Sequence, residues 1–166
     1  MLPGLLRIPL DRRADGRGAF TTTWNPALLD VAFVQDQESV SRRGVLRGLH
    51  LQRPTGQGKL VRVVVGSIWD VAVDLRPDSP TFGQWEGLEL SEERPEALWI
   101  PRGFAHGFLT LSERSIVAYK VDAPWVPAEE RVLAWDDPTL AIPWPERAPV
   151  LNARDARGEP LEAFRG

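Results

Sequence analysis

Carboxylates aside, few side chains in this sequence can exchange a proton near neutral pH: two histidines (His50 and His106), two lysines (Lys59 and Lys120) and a single tyrosine, Tyr119. Cysteine is absent, which excludes disulfides, thiolate metal sites and cysteine nucleophiles together. Lysine and arginine total 20, and all but those two lysines are arginine. Arginine keeps its proton at any working pH, whereas a lysine ammonium is tuned by burial, so the two retained lysines stand out. Acid–base chemistry here must be assembled from this short set and from Asp and Glu.

His50 lies in Arg47-Gly48-Leu49-His50-Leu51-Gln52. On a strictly alternating strand it shares a face with Gly48 and Gln52 while Arg47 points the other way, unless Gly48 marks a bulge that re-aims one of them. Small and polar neighbours suit a cavity, although a hydrogen-bonded structural histidine fits the same pattern. Lys59 shares a face with Val61, Val63 and Val65. That is sensible for a charge aimed into a cavity, and equally for a strand-end lysine reaching out to water. Tyr119 follows Ile116, Val117 and Ala118, and by pattern alone reads as an aromatic plug. Asp155, in a polar tail, reads as solvated surface.

The elements that must position these groups look like strands. Fourteen glycines and 15 prolines punctuate the whole length, and no internal repeat or low-complexity segment stands out. Residues 59–65 and 69–75 read as a hairpin turning at Gly66-Ser67. Further strands are expected at 32–35, 45–52, 84–90, 97–100, 107–111, 116–121 and 131–134, each bounded by Gly, Pro, Ser or Asp. Short helices are expected at 26–29 and near 91–94, and the tail from Trp135 onward should wrap over the sheets. Many short strands in 166 residues point to one all-β domain, a sandwich, barrel or jelly roll. A net charge of −3 with no basic block argues against a general nucleic-acid binder. No apolar run approaches the ~18–20 residues of a membrane span. Pro3, Gly4, Arg7 and Pro9 break up the first ten residues, so a secretory signal is not expected and a cytoplasmic location is.

Pro101-x-Gly103-x-x-His106 resembles the second motif of the cupin superfamily, a tight turn that delivers a histidine onto an inward-facing strand. Metal-dependent cupins usually gather three histidines and a carboxylate, two of them from His-x-His. Here Leu49 and Gln52 occupy the flanking places, which argues against a metal, with two histidines plus carboxylates as the remaining possibility. Taken in order, Asp15-x-Arg17-Gly18-x-Phe20, Phe33-Val34-Gln35-Asp36, Gly44 to His50, Gly58 to Val63, Asp70 to Arg76, Ser79 to Gly83, Ile100 to Phe108, Tyr119-Lys120, Glu130-Arg131, Trp135-x-Asp137-Pro138 and Trp144-Pro145 resemble the dTDP-4-dehydrorhamnose 3,5-epimerase family.

That resemblance implies a cupin-type jelly roll without metal or cofactor, working as a homodimer on dTDP-4-keto-6-deoxyglucose. Its C4 ketone acidifies the protons on C3 and C5, and removing one and returning it from the opposite face inverts that carbon. By the resemblance, His50 is the base, Asp155 orients and polarises it, Lys59 holds the enolate oxygen, and Tyr119 is the acid on the far side of the ring. Arg17, Gln35, Gln37, Arg47, His106, Glu130 and Arg154 match substrate contacts. Four positions depart from the family's usual residues: Thr22 stands for Glu, Gln37 for Asn, Arg154 for Lys and Trp125 for a second Tyr. Trp125 bears on the balance between C3 and C5 inversion, so a single-site epimerase on a related sugar nucleotide is an alternative. A non-catalytic sugar- or metal-binding cupin is another.

Overall fold

The computed structural model describes residues 1–165. Twelve strands run among them: β1 (Leu6–Pro9), β2 (Arg12–Asp15), β3 (Gly18–Thr21), β4 (Gln35–Arg42), β5 (Leu46–Gln52), β6 (Lys59–Val65), β7 (Ser67–Asp74), β8 (Trp85–Ser91), β9 (Glu96–Ile100), β10 (Phe104–Thr110), β11 (Arg114–Val121) and β12 (Glu130–Val132). One sheet has the order β1-β9-β6-β11-β4 and the other β12-β5-β10-β7-β8, while β2 and β3 form a separate ribbon. Pairing between these strands is antiparallel, and two isolated bridges to the tail, Val45↔Val150 and Leu133↔Glu159, are parallel. Of the consecutive strands only β2–β3 and β7–β8 pair with each other, so the chain crosses repeatedly from sheet to sheet, as in a cupin jelly roll.

This topology corrects one expectation directly. β6 and β7 are not a hairpin: β6 pairs with β9 and β11, β7 with β8 and β10. Gly66, at φ +79°, makes a corner between sheets, where an added Cβ would lie 2.2 Å from the Arg114 carbonyl oxygen. The expected strand at 32–35 gives way to β4, whose polar sequence QDQESVSR carries no apolar alternation. Neither expected helix forms. Asn25 Oδ1 accepts the N–H groups of Ala27 and Leu28, but the chain leaves after that turn, and Ser91 ends β8. Among the described residues the helical elements are three one-turn 3-10 segments, at Pro127–Glu129, Asp155–Arg157 and Leu161–Phe164.

Alternation sorts the apolar residues into three layers. Val61, Val63, Leu98, Ile100, Phe104, Phe108 and Val117 meet between the sheets, and burying each such side chain contributes about 1.5–3 kcal/mol. Leu60, Ala97 and Trp99 face outward from the first sheet under the 24–33 segment. Leu49, Leu51, Val71, Val73 and Leu133 face outward from the second, covered by Leu140, Leu161 and Phe164 of the tail. The tail does wrap over this sheet. Backbone bonds between Leu46 and Val150, and between Ala134 and Glu159, fasten it on both sides of Asp155.

Candidate active site

A cavity of ≈ 240 Å³ opens between the sheets and is lined by Gln37, Ser39, Arg47, His50, Gln57, Lys59, His106, Phe108, Tyr119, Trp125, Glu130 and Arg154. His50 enters from β5 in one sheet, and Tyr119 from β11 in the other. Lys59 opens β6, beside β11 in the register Tyr119↔Val61.

The placement of His50 depends on Gly48. His106 pairs with His50 and Phe108 with Arg47, so two steps along β10 match three along β5. The extra residue of β5 is a bulge, which turns Arg47 to the cavity along with His50. Gly48 has φ +128°, and an added Cβ would sit 2.5 Å from Gly107 Cα and 2.8 Å from the His106 carbonyl oxygen. Only glycine permits that approach.

Asp155 arrives from the tail, on a turn where Asn152 Oδ1 accepts the N–H groups of Arg154 and Asp155 at 2.8 and 2.7 Å. Its carboxylate is buried and lies 2.8 Å from His50 Nε2, with the Gly48 N–H donating to the other oxygen at 3.1 Å. Burial alone would raise this carboxyl's pKa, but the bonds from His50 and Gly48 and the charge of Arg154 hold it below the ordinary value. With Nε2–H donating to Asp155, Nδ1 is left as the imidazole nitrogen able to take a proton.

Lys59 has one long polar contact, 3.5 Å from Nζ to the His50 carbonyl oxygen. Burial lowers its ammonium from 10.5 to about 8, against the partial pull of Glu130 and Asp70. Tyr119 moves the other way: burial raises its hydroxyl, Arg47 offsets part of that, and Glu130 adds to it. The phenol therefore keeps its proton at neutral pH.

His106 forms a second imidazole–carboxylate pair, with Nε2 2.9 Å from Oδ2 of the buried Asp70. Arg47 donates to Ser41 Oγ and the Val40 carbonyl, and no carboxylate is among these partners. Glu130 Oε2 accepts from Trp125 Nε1 at 3.1 Å and from Arg154 Nη1. Gln35 is exposed and is not among the cavity-lining residues; its Oε1 lies 3.5 Å from the Trp125 N–H. Arg17 is not brought to the cavity: its guanidinium is 91% exposed on the β2–β3 turn and pairs with Asp15. Ser39 and Gln57 line the cavity without having been singled out in the sequence. Two-residue alternation from Gln37 identifies Ser39, whereas Gln57 sits in a loop that carries no such signal. Among the described residues no three His, Cys, Asp or Glu side chains cluster as metal ligands.

The family model for dTDP-4-dehydrorhamnose 3,5-epimerase matches residues 1–163. The chain belongs to that family. The dTDP-4-dehydrorhamnose 3,5-epimerase of Pseudomonas aeruginosa is 50% identical over 152 residues, covering 87% of this chain and 84% of that protein. Among solved structures, the dTDP-6-deoxy-D-glucose-3,5-epimerase of Legionella pneumophila in complex with dTDP-4-keto-L-rhamnose superposes with a TM-score of 0.91 at 44% identity, over 95% of this chain and 88% of that one. NovW of Streptomyces spheroides, a 4-keto-6-deoxy sugar epimerase, superposes with a TM-score of 0.94 at 36% identity, over 98% and 85%. Epimerases thus share this backbone. Among the described residues no helix is long and apolar enough to cross a membrane.

Proposed function

We propose that this enzyme epimerises dTDP-4-dehydro-6-deoxy-D-glucose at C3 and C5 to dTDP-4-dehydro-L-rhamnose, without a cofactor, in dTDP-rhamnose synthesis. The reading rests on one observation above all: an imidazole and a phenol enter the same small cavity from opposite sheets. His50 takes the proton from the carbon beside the C4 ketone, and its new positive charge is balanced by Asp155. The electron pair moves to the C4 oxygen, where the Lys59 ammonium stabilises the enolate; removing one such donor typically costs ~10²–10³ in rate. Tyr119 returns a proton to the opposite face of the carbon, and the ketone re-forms. Well-positioned acid–base groups contribute roughly 10²–10⁴ in rate. Gln37, Arg47 and His106 line the cavity with polar groups that can hold the sugar and its diphosphate.

A homodimer completes the account. The β2–β3 ribbon carries Arg17 away from its own cavity, and Phe20 beside it is 72% exposed. In the proposed dimer this ribbon lies over the second copy and supplies Arg17 to that copy's nucleotide-binding rim. Co-expressed Arg17→Ala and His50→Ala chains would then form hybrids with one intact site, and recover activity that neither variant shows alone.

Trp125 favours a second reading, inversion at one carbon only, because an indole at the rim replaces the phenol usual in the family. Incubation of the keto-sugar nucleotide in deuterated water separates the two by NMR. Label at C3 and C5 supports the first reading, label at one carbon the second, and label at neither contradicts both.

A further inference from the structure

The tail residues 151–158, which carry Asp155, run between two places where the tail is bonded to the sheet. Upstream, the Val150 N–H donates to the Gly44 carbonyl at 2.8 Å and its carbonyl accepts from Leu46 at 3.0 Å. Downstream, Glu159 adds to the outer edge of β12: its N–H donates to the Val132 carbonyl at 2.7 Å, and its carbonyl accepts from Ala134 at 2.8 Å. The other edge of β12 pairs with β5 in the register Val132↔His50. Strand β12 therefore locates both members of the His50–Asp155 pair, one from each edge.

Gly158 stands between Asp155 and that docking point, directly behind the single 3-10 turn Asp155–Arg157. Its φ of −59° and ψ of 152° are ordinary extended backbone, so conformation alone does not call for glycine. Space does. An added Cβ would lie 2.5 Å from Ala134 Cα, 2.6 Å from Ala134 N and 2.9 Å from the Leu133 carbonyl carbon. All three are backbone atoms, and no side-chain rotation relieves them. To reach an ordinary contact of 3.4 Å, the tail must retreat by about 0.9 Å. The turn that leads back to Asp155 is stiffened by Asn152 Oδ1, which accepts two of its N–H groups. A retreat of that size, carried to the carboxylate, takes its 2.8 Å contact with His50 past the ~3.2 Å of an ordinary hydrogen bond.

We propose that Gly158 is a positioning residue for the reaction: by letting the tail backbone lie directly on β12, it sets the depth at which Asp155 meets His50. It is not among the residues that line the cavity, and it acts only through Asp155. The inference rests on the reading of His50 as a base oriented by Asp155.

Steady-state kinetics with the keto-sugar nucleotide, and amide exchange followed by NMR, test it on the full chain. Gly158→Ala should lower kcat by roughly 10- to 100-fold, the scale of an ångström's misplacement, with KM within about twofold of the wild type. The Gly48 N–H, which donates to Asp155 Oδ2, should exchange faster, while the amides of the β7–β8 ladder stay protected and report an intact fold. Glu159→Pro removes the N–H that Val132 accepts, and should give a smaller loss of kcat with the same signature at Gly48. On an Asp155→Asn background neither change should lower kcat further, because the group they position is already disabled. A wild-type kcat in either folded variant, or losses that multiply with that of Asp155→Asn, overturns the positioning role. Should Gly158→Ala also expose the β7–β8 amides, Glu159→Pro decides by the same criteria. A wild-type kcat in Asp155→Asn itself overturns the reading of the pair on which the inference rests.

Discussion

Lys59 is the residue whose environment makes the sharpest quantitative demand. In the unfolded chain its ammonium titrates near 10.5, and in the cavity near 8. Between those values the unfolded chain binds a proton that the folded one has released, so the stability of the wild type rises with pH through that window. Below pH about 8 both states carry the charge, and the folded state bears the full penalty of desolvating it. The interval corresponds to ~3 kcal/mol, a substantial part of the 5–15 kcal/mol that holds a typical domain together. Lys59→Met fills similar space without a charge. Urea unfolding of both proteins at pH 7 and pH 10 should find the variant more stable at pH 7, with the gap closing by up to ~3 kcal/mol at the higher pH. Other titrating groups cancel in the difference. The variant should also lose ~10²–10³ in kcat, and wild-type activity should decline above pH about 8 as the ammonium that holds the enolate deprotonates. Parallel stability curves for the two proteins across pH 8–10.5 would refute the claim that this lysine is desolvated in the folded state.

Two other substitutions probe the scaffold. Gly48→Ala should lower stability by ~3 kcal/mol or more, about 6–12 °C in Tm, because its Cβ would drive β5 from β10 at Gly107. It should also abolish activity in whatever fraction folds, through the displaced N–H that faces Asp155; a near-native melt would show that the strands are not in close approach. Ala141 has φ +47°, a left-handed conformation that costs a non-glycine residue ~1 kcal/mol. Ala141→Gly should therefore raise Tm by roughly 2–4 °C, and a lower Tm would mean that the methyl group's contacts outweigh the strain.

How far the sequence could be read follows from where each signal lies. β6 and β7 were legible because alternation and β-branching are local. Their pairing was not, since a Gly-Ser corner looks alike whether the next strand returns alongside or leaves for the other sheet. β4 was shifted because a strand facing a polar cavity on one side and exposed on the other has no apolar period to find. The bulge at Gly48 was raised as an alternative and is the one that occurs, which is why Arg47 and His50 share a cavity against simple alternation. Asp155 lies 105 residues from His50, and only the family resemblance joined them before the tail was seen to fold back. The same resemblance named Arg17, which the single chain leaves exposed beside Asp15 and away from the cavity.

The central claim is that one carbon loses its proton to His50 on one face and regains one from Tyr119 on the other. Tyr119→Phe in deuterated water tests it most directly, with exchange and inversion followed separately by NMR. With His50 intact and the far-side acid gone, the account predicts deuterium entering beside the ketone with retained configuration, at a rate well above any residual inversion. Inversion that continues at the wild-type rate, or exchange and inversion lost together, would contradict it.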